Sequence, residues 1–150
     1  MKLAKPIIVL TVICLITSTC LALTNMKTED AIAQVNKQKI AEAAAQVLPK
    51  GTKGEAVQGV GKSFGGDLTV MVGIADNGKI TGVTVTDHAD TPGLGTKAMT
   101  VDYLKQYKGL SKLPADHIKN DKQVDAITGA TISSNGVYNA VKDALKKGGK

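Results

Sequence analysis

Asp125-Ala126-Ile127-Thr128-Gly129-Ala130-Thr131-Ile132-Ser133-Ser134 is the stretch on which the reading of this chain turns. A short apolar run meets a glycine between small and hydroxyl residues. It then opens into a segment whose apolar positions, Ile132, Gly136, Val137, Ala140, Val141, Ala144 and Leu145, recur at helical spacing. The pattern predicts a tight turn delivering the chain into a closing helix over residues 132–147. The first N–H groups of a helix lack partners and its dipole end is positive, so such a place suits a phosphate. Gly129 would let a ligand approach the backbone, and Thr131 would present a hydroxyl at the helix mouth. The commoner use of these residues is a cap, with Thr131, Ser133 or Ser134 satisfying the helix start.

Working outward, residues 67–75 alternate Leu68, Val70, Val72 and Ile74 with Thr69, Met71 and Gly73, the period of a half-buried strand. Asp76-Asn77-Gly78 signals a hairpin, since Asn-Gly tolerates the positive φ angles of a type I′ turn. The partner strand spans 79–87, and its alternation slips at Gly82, which predicts a bulge. Before this hairpin, residues 51–66 read as a loose segment with a short strand at 56–60. After it, His88-Ala89-Asp90-Thr91-Pro92-Gly93-Leu94-Gly95 fixes a constrained loop that displays one apolar side chain, Leu94. Residues 96–107 read as a helix, and a short strand at Val124 would feed the final turn. Tyr138 reads as core or rim.

At the other end, residues 6–23 (PIIVLTVICLITSTCLAL) carry no charge. At helical rise they span about 27 Å, close to the hydrocarbon thickness of a bilayer. This predicts a membrane anchor over residues 1–24, with Lys2 and Lys5 favouring an inside N-terminus and an extracytoplasmic globular domain. A cleaved signal peptide is the rival, because Cys20-Leu21-Ala22 could serve as a small-x-small site. Retention is favoured because no helix breaker follows and an alanine-rich helical pattern continues out of the anchor. Residues 25–50 therefore read as a connecting helix, ended by Pro49, Gly51 and Gly54, and residues 51–150 as one small domain.

The formal charge is +6, and all 19 basic residues are lysine. The lack of arginine forks and the few aromatics available to stack bases argue against nucleic acid as a partner. Cys14 and Cys20 both lie in the anchor, so the domain has neither a disulfide framework nor a Cys-ligated metal site. His88 and His117 have no second ligand at metal spacing, and no metal is assigned.

Asp125 with Thr128-Gly129-Ala130-Thr131 resembles the D-x-x-[ST]-G-A-T flavinylation motif of the FMN-binding domain family, and Thr91-Pro92-Gly93-Leu94-Gly95 is similar to that family's T-P-G-L-G loop. The anchor, the hairpin and the two motifs follow the order of the G subunit in Rnf electron transport complexes, with the C subunit of the Na⁺-translocating NADH:quinone oxidoreductase more distant. The resemblance implies an α+β fold, a short and largely antiparallel sheet packed by helices behind one transmembrane helix. It implies FMN joined covalently through its phosphate to Thr131 by an FAD:protein FMN transferase. Thr128, Gly129, Ala130 and Asp125 would serve that attachment, and Thr91, Leu94 and Gly95 would contact the isoalloxazine ring. No residue is implied to be catalytic by itself.

Partners would be the other Rnf-type subunits and the lipid bilayer of the cell membrane, and the role electron transfer between ferredoxin and NAD⁺ coupled to ion pumping. Two departures stand out. The family usually has Glu where Asp90 stands, so a hydrogen bond from that carboxylate must reach further or be absent. The stretch from Pro49 to Asp67 is short, so a strand or two is expected to be missing. Two alternatives remain, a free-standing membrane-tethered flavoprotein and a non-redox binding module.

Overall fold

The computed structural model describes residues 4–49 and 51–149. Helix α1 spans Ala4–Val47 and strands β1, β2 and β3 span Gly54–Ser63, Gly66–Ala75 and Ile80–Asp87. After a short 3-10 turn come α2 (Val101–Leu104), two further 3-10 turns and α3 (Thr131–Gly148). The chain divides into two compact units, the first ending at Gln38 and the second beginning at Lys39.

In the first unit α1 is long and apolar enough to cross a membrane. Its hydroxyls are compatible with that solvent, because Thr11, Thr17 and Thr19 donate to the carbonyls of Ile7, Ile13 and Leu15 at 2.9, 2.9 and 2.7 Å. A polar group satisfied by its own helix needs no water.

The second unit is an antiparallel meander in the order β1-β2-β3. Leu68, Val70 and Val72 of β2 are fully buried in one cluster with Val137, Tyr138, Ala140, Val141 and Ala144 of α3. Residues 70–74 of β2 are buried on both faces, not half-buried as alternation alone predicts. On the second face, Met71 packs with Ala43 and Val47 from the last turns of α1. Gly73 and Gly82 leave room for that approach, since a Cβ at Gly73 would overlap the Val47 carbonyl. Thr81 Oγ1 donates to the same carbonyl at 2.5 Å.

Several sequence expectations need correction. The supposedly loose stretch 51–66 holds a ten-residue strand, β1, paired along its length with β2. Glycines hid it from the propensity pattern, and those glycines admit the helix: a Cβ at Gly59 or Gly61 would collide with the α3 carbonyls of Ala140 or Gly136. The Val60 N–H on this edge strand donates to Asp143 Oδ2 of α3 at 3.0 Å, which closes part of the edge. The β2–β3 turn is not type I′, since Gly78 (φ 75) has positive φ and Asn77 does not. Ala75 and Lys79 bracket a three-residue loop, with Gly78 N–H donating to Ala75 O at 2.8 Å. The irregularity predicted at Gly82 is present beside it, where Gly73 pairs with Gly82 but Ile74 pairs with Ile80, leaving Thr81 unpaired.

The helix predicted over residues 96–107 is broken by Thr100, whose backbone is extended (φ −70, ψ 148) and whose side chain caps α2. No strand forms at Val124. That residue is buried in irregular chain, and the neighbouring backbone bonds to side chains instead, with Asp125 N–H donating to Gln106 Oε1 at 2.8 Å.

Candidate functional site

Three segments meet at one open cavity of about 340 Å³: the β1–β2 turn, the loop after β3 and the start of α3. Phe64 comes from the first, Asp90, Thr91, Leu94 and Gly95 from the second, and Gly129, Ala130, Thr131, Ile132 and Ser133 from the third. The size lies in the usual range for small-ligand clefts, about 300–1,000 Å³.

The α3 side of the cavity is a helix start without a side-chain cap. Ala130 occupies the cap position and no side chain accepts from the first-turn amides. Ser134 Oγ turns inward, accepting from Ile127 N–H at 3.1 Å and donating to Ala130 O at 3.0 Å. The capping role open to Thr131, Ser133 and Ser134 on spacing is therefore not taken by any of them. Gly129 adopts φ 82, a left-handed conformation that turns the chain into α3 with open space where a Cβ would stand. Thr131 is the first residue of α3 and is half-buried at the cavity wall.

The loop after β3 supplies the opposite wall and one buried carboxylate. Asp90 is only 5% exposed. Its Oδ1 accepts from Ser63 Oγ at 2.7 Å and from Gly65 N–H at 2.5 Å, whereas its buried Oδ2 has no hydrogen-bond partner. Burial pushes this carboxyl up, but the nearby hydroxyls of Ser133 and Ser63, the Gly65 amide and the His88 charge outweigh it and hold the group below its ordinary range. Gly95 lies between Asp90 and Ser133, where a Cβ would overlap the carboxylate and come within 2.7 Å of Ser133 Oγ.

The cavity thus brings together Thr91, Leu94, Gly95, Gly129, Ala130 and Thr131 of the residues singled out in the sequence. Thr128 and Asp125 are exposed and do not line it. The Asp125 carbonyl is instead held by Tyr103 Oη at 2.8 Å. Phe64 and Ser133 were not anticipated, and Asp90 was noted only for departing from Glu. The available signal for Phe64 was that it is the chain's one phenylalanine, set between a serine and a pair of glycines.

An FMN group fits this chemistry on three counts. The uncapped helix start offers free amides to a phosphate, the apolar rim offers surface to a flat ring, and Asp90 Oδ2 is a spare acceptor for a ring N–H.

Comparison with known proteins adds to the geometry. Residues 63–146 match the family described as "FMN-binding domain". The chain is 29% identical over 175 residues to the G subunit of the ion-translocating oxidoreductase complex of Methanosarcina acetivorans, covering 96% of this chain and 93% of that one. It is 29% identical to the G subunit of the Na⁺-translocating ferredoxin:NAD⁺ oxidoreductase complex of Acetobacterium woodii, covering 93% and 88%. Against the corresponding G subunit of Pectobacterium atrosepticum it is 32% identical, but spans only 51% of that protein. Among solved structures it resembles NqrC of Shewanella oneidensis, with a TM-score of 0.50 and 26% identity over 59% of this chain and 47% of that one.

Proposed function

The chain belongs to the FMN-binding domain family, and from that premise we propose that it is the flavin-carrying G subunit of a membrane-bound, ion-translocating oxidoreductase complex of the Rnf type. The observation that carries the reading is the single cavity that joins the Thr91–Gly95 loop to an uncapped helix start beginning at Thr131. The similarity to G subunits of ion-translocating complexes supports the assignment to such an assembly.

In this reading Thr131 Oγ1 is the attachment point. A transferase would bring FAD; the threonine oxygen would bond to the phosphorus of the FMN half as the pyrophosphate bond breaks, AMP would leave, and the hydroxyl proton would pass to the transferase or to solvent. Thr131 needs no activating base in this chain, because the transferase supplies the catalysis. Exposed Thr128 and Asp125 are available for recognition by that enzyme, and the uncapped α3 amides would help hold the negative charge remaining on the phosphodiester. When bound, the flavin would supply one- and two-electron chemistry, and the protein's part is to hold and tune it. A tether suits a domain on the extracytoplasmic face, where a dissociated cofactor would be diluted away. Electrons would pass between neighbouring redox subunits, in the direction of ferredoxin to NAD⁺ that the names of the relatives indicate.

Coexpression of the chain with an FAD:protein FMN transferase tests this directly. The denatured band is expected to fluoresce yellow-green under ultraviolet light, and Thr131→Ala to abolish the signal. A dark wild-type band beside a flavinylated control substrate would refute the assignment.

A further inference from the structure

The two edges of the sheet are treated differently. On the outer edge of β1 the Val60 N–H points away from β2 and is taken by Asp143 of α3 at 3.0 Å. That bond also fixes which way the rest of the ladder points. Backbone groups alternate sides along a strand and Val60 pairs with Thr69, so Thr69 and Met71 direct theirs toward β3. Met71 pairs with Thr84, which therefore faces inward, and Val83 and Val85 on either side turn their N–H and C=O groups outward.

The outer edge of β3 begins covered and ends bare. At its start Ile80 N–H donates to Leu110 O and Gly109 N–H donates to Ile80 O, both at 2.8 Å, as though a fourth strand began there. The 109–110 segment then leaves, and among the described residues no backbone bond joins Val83 or Val85 to a group outside the sheet. Proteins usually blunt such an edge with lysine or proline, yet Ile80–Asp87 contains neither in a chain of 19 lysines.

This edge runs between two clefts of about 240 Å³ each, which share Gln46 and Thr84. Val83 lines the first, beside Leu104 and a Val101 that is 73% exposed. Val85 lines the second. Three lysines, Lys39, Lys105 and Lys108, line the pair of clefts against one carboxylate, Glu42. Lys105 is engaged by Asp102 at 2.7 Å, whereas Lys39 and Lys108 form no ion pair among the described residues.

We infer that the bare edge of β3 is a docking site for an extended, acidic segment of a neighbouring subunit, which adds as a strand beside Val83 and Val85. The main chain of the two valines supplies the hydrogen bonds, Val101 an apolar contact, and Lys39 and Lys108 the preference for carboxylates. A second copy of this chain fits less well. Two β3 edges paired antiparallel about Thr84 would set the Lys39 end of one against the Lys108 end of the other. The inference rests on the reading of the chain as a subunit of a larger assembly, and it is independent of flavin attachment.

The test compares the full chain alone in detergent with the chain inside the complex, captured through a tag on another subunit. Hydrogen exchange is read amide by amide over residues 80–87. The amides of Val83 and Val85 are expected to slow about tenfold or more in the complex, while that of Thr84, already paired with Met71, serves as the internal reference. With Thr84 replaced by the photoprobe p-benzoylphenylalanine, irradiation of the complex should join β3 to an acidic stretch of another subunit, identified by mass spectrometry. Val83→Pro, a change that an outward-facing edge position tolerates, should lower retention in the complex severalfold with the melting of the free chain little changed. Lys39→Glu combined with Lys108→Glu should do the same without touching the backbone, and Lys122→Glu, exposed but off the clefts, should not. Equal exchange at Val83 and Val85 in the free and assembled chain would overturn the inference while leaving the subunit assignment intact. A cross-link to a second copy or to a basic segment would overturn the proposed occupant. Failure of the wild-type chain to purify with any other subunit would count against the subunit reading itself, and the inference would fall with it.

Discussion

At the scale of single residues, Asp90 concentrates the most structure in one group. Its carboxyl sits below the ordinary value of 3.8 because hydroxyl and amide donors outweigh the effect of burial. A group with a depressed folded-state pKa stabilises the fold above its unfolded value, and that contribution is lost as the pH falls through the folded one. Thermal stability measured across pH is therefore expected to decline below about 4 partly through this residue. Asp90→Asn should flatten that part of the profile, and a variant whose acid limb coincides with wild type would show that ionisation of Asp90 contributes nothing to acid stability. Glu at this position would have to fit one more methylene between Ser63, Gly65 and Gly95. The aspartate here reaches its partners because the β1–β2 turn comes to it.

At the scale of elements, α3 organises the domain, and the 115–121 loop hangs from it by specific bonds. Tyr138 Oη donates to Asp121 Oδ2 at 2.6 Å and accepts from Ala115 N–H at 3.2 Å. Asn135 Oδ1 accepts from Ile118 N–H at 3.0 Å, and Lys142 Nζ donates to Ala115 O at 2.8 Å. Tyr138 is fully buried, so it is a core residue with a polar task. Tyr138→Phe leaves a largely buried carboxylate and a backbone amide without their partner, and should cost about 1–3 kcal/mol in chemical denaturation. Near-equality with wild type would mean that the loop is fastened by Asn135 and Lys142 alone. The segment 96–107 shows the limit of periodicity at this scale. Ala98 and Leu104 are buried as a helical face would have them, yet Thr100 splits the element, because its hydroxyl accepts from Tyr103 N–H and caps a new start.

For the whole molecule, α1 is long and apolar enough to associate with a membrane, and its final turns also complete the domain. Val47 is 2% exposed against Met71 and the sheet glycines. A chain beginning at Lys39 should therefore be more stable than one beginning at Gly51, by about 1.5–3 kcal/mol for Val47 alone. Urea midpoints of the two fragments check this, and equal midpoints would show that the second sheet face needs no cover.

The sequence by itself determined the apolar helix, the β2–β3 hairpin, the closing helix and the two motifs that flank the cavity, because each depends on neighbours close along the chain. Periodicity, a turn glycine or a run without charge can be read in order from such neighbours. Only the tertiary structure decided that β1 exists, that β2 is covered on both sides, and that Phe64 and Asp90 belong with Thr131. The glycines of β1 weaken its local preference and are explained only by the helix that approaches them. Asp90 and Ser63 are 27 residues apart in sequence yet share a hydrogen bond, and contacts of that kind arise when distant segments fold onto a common core.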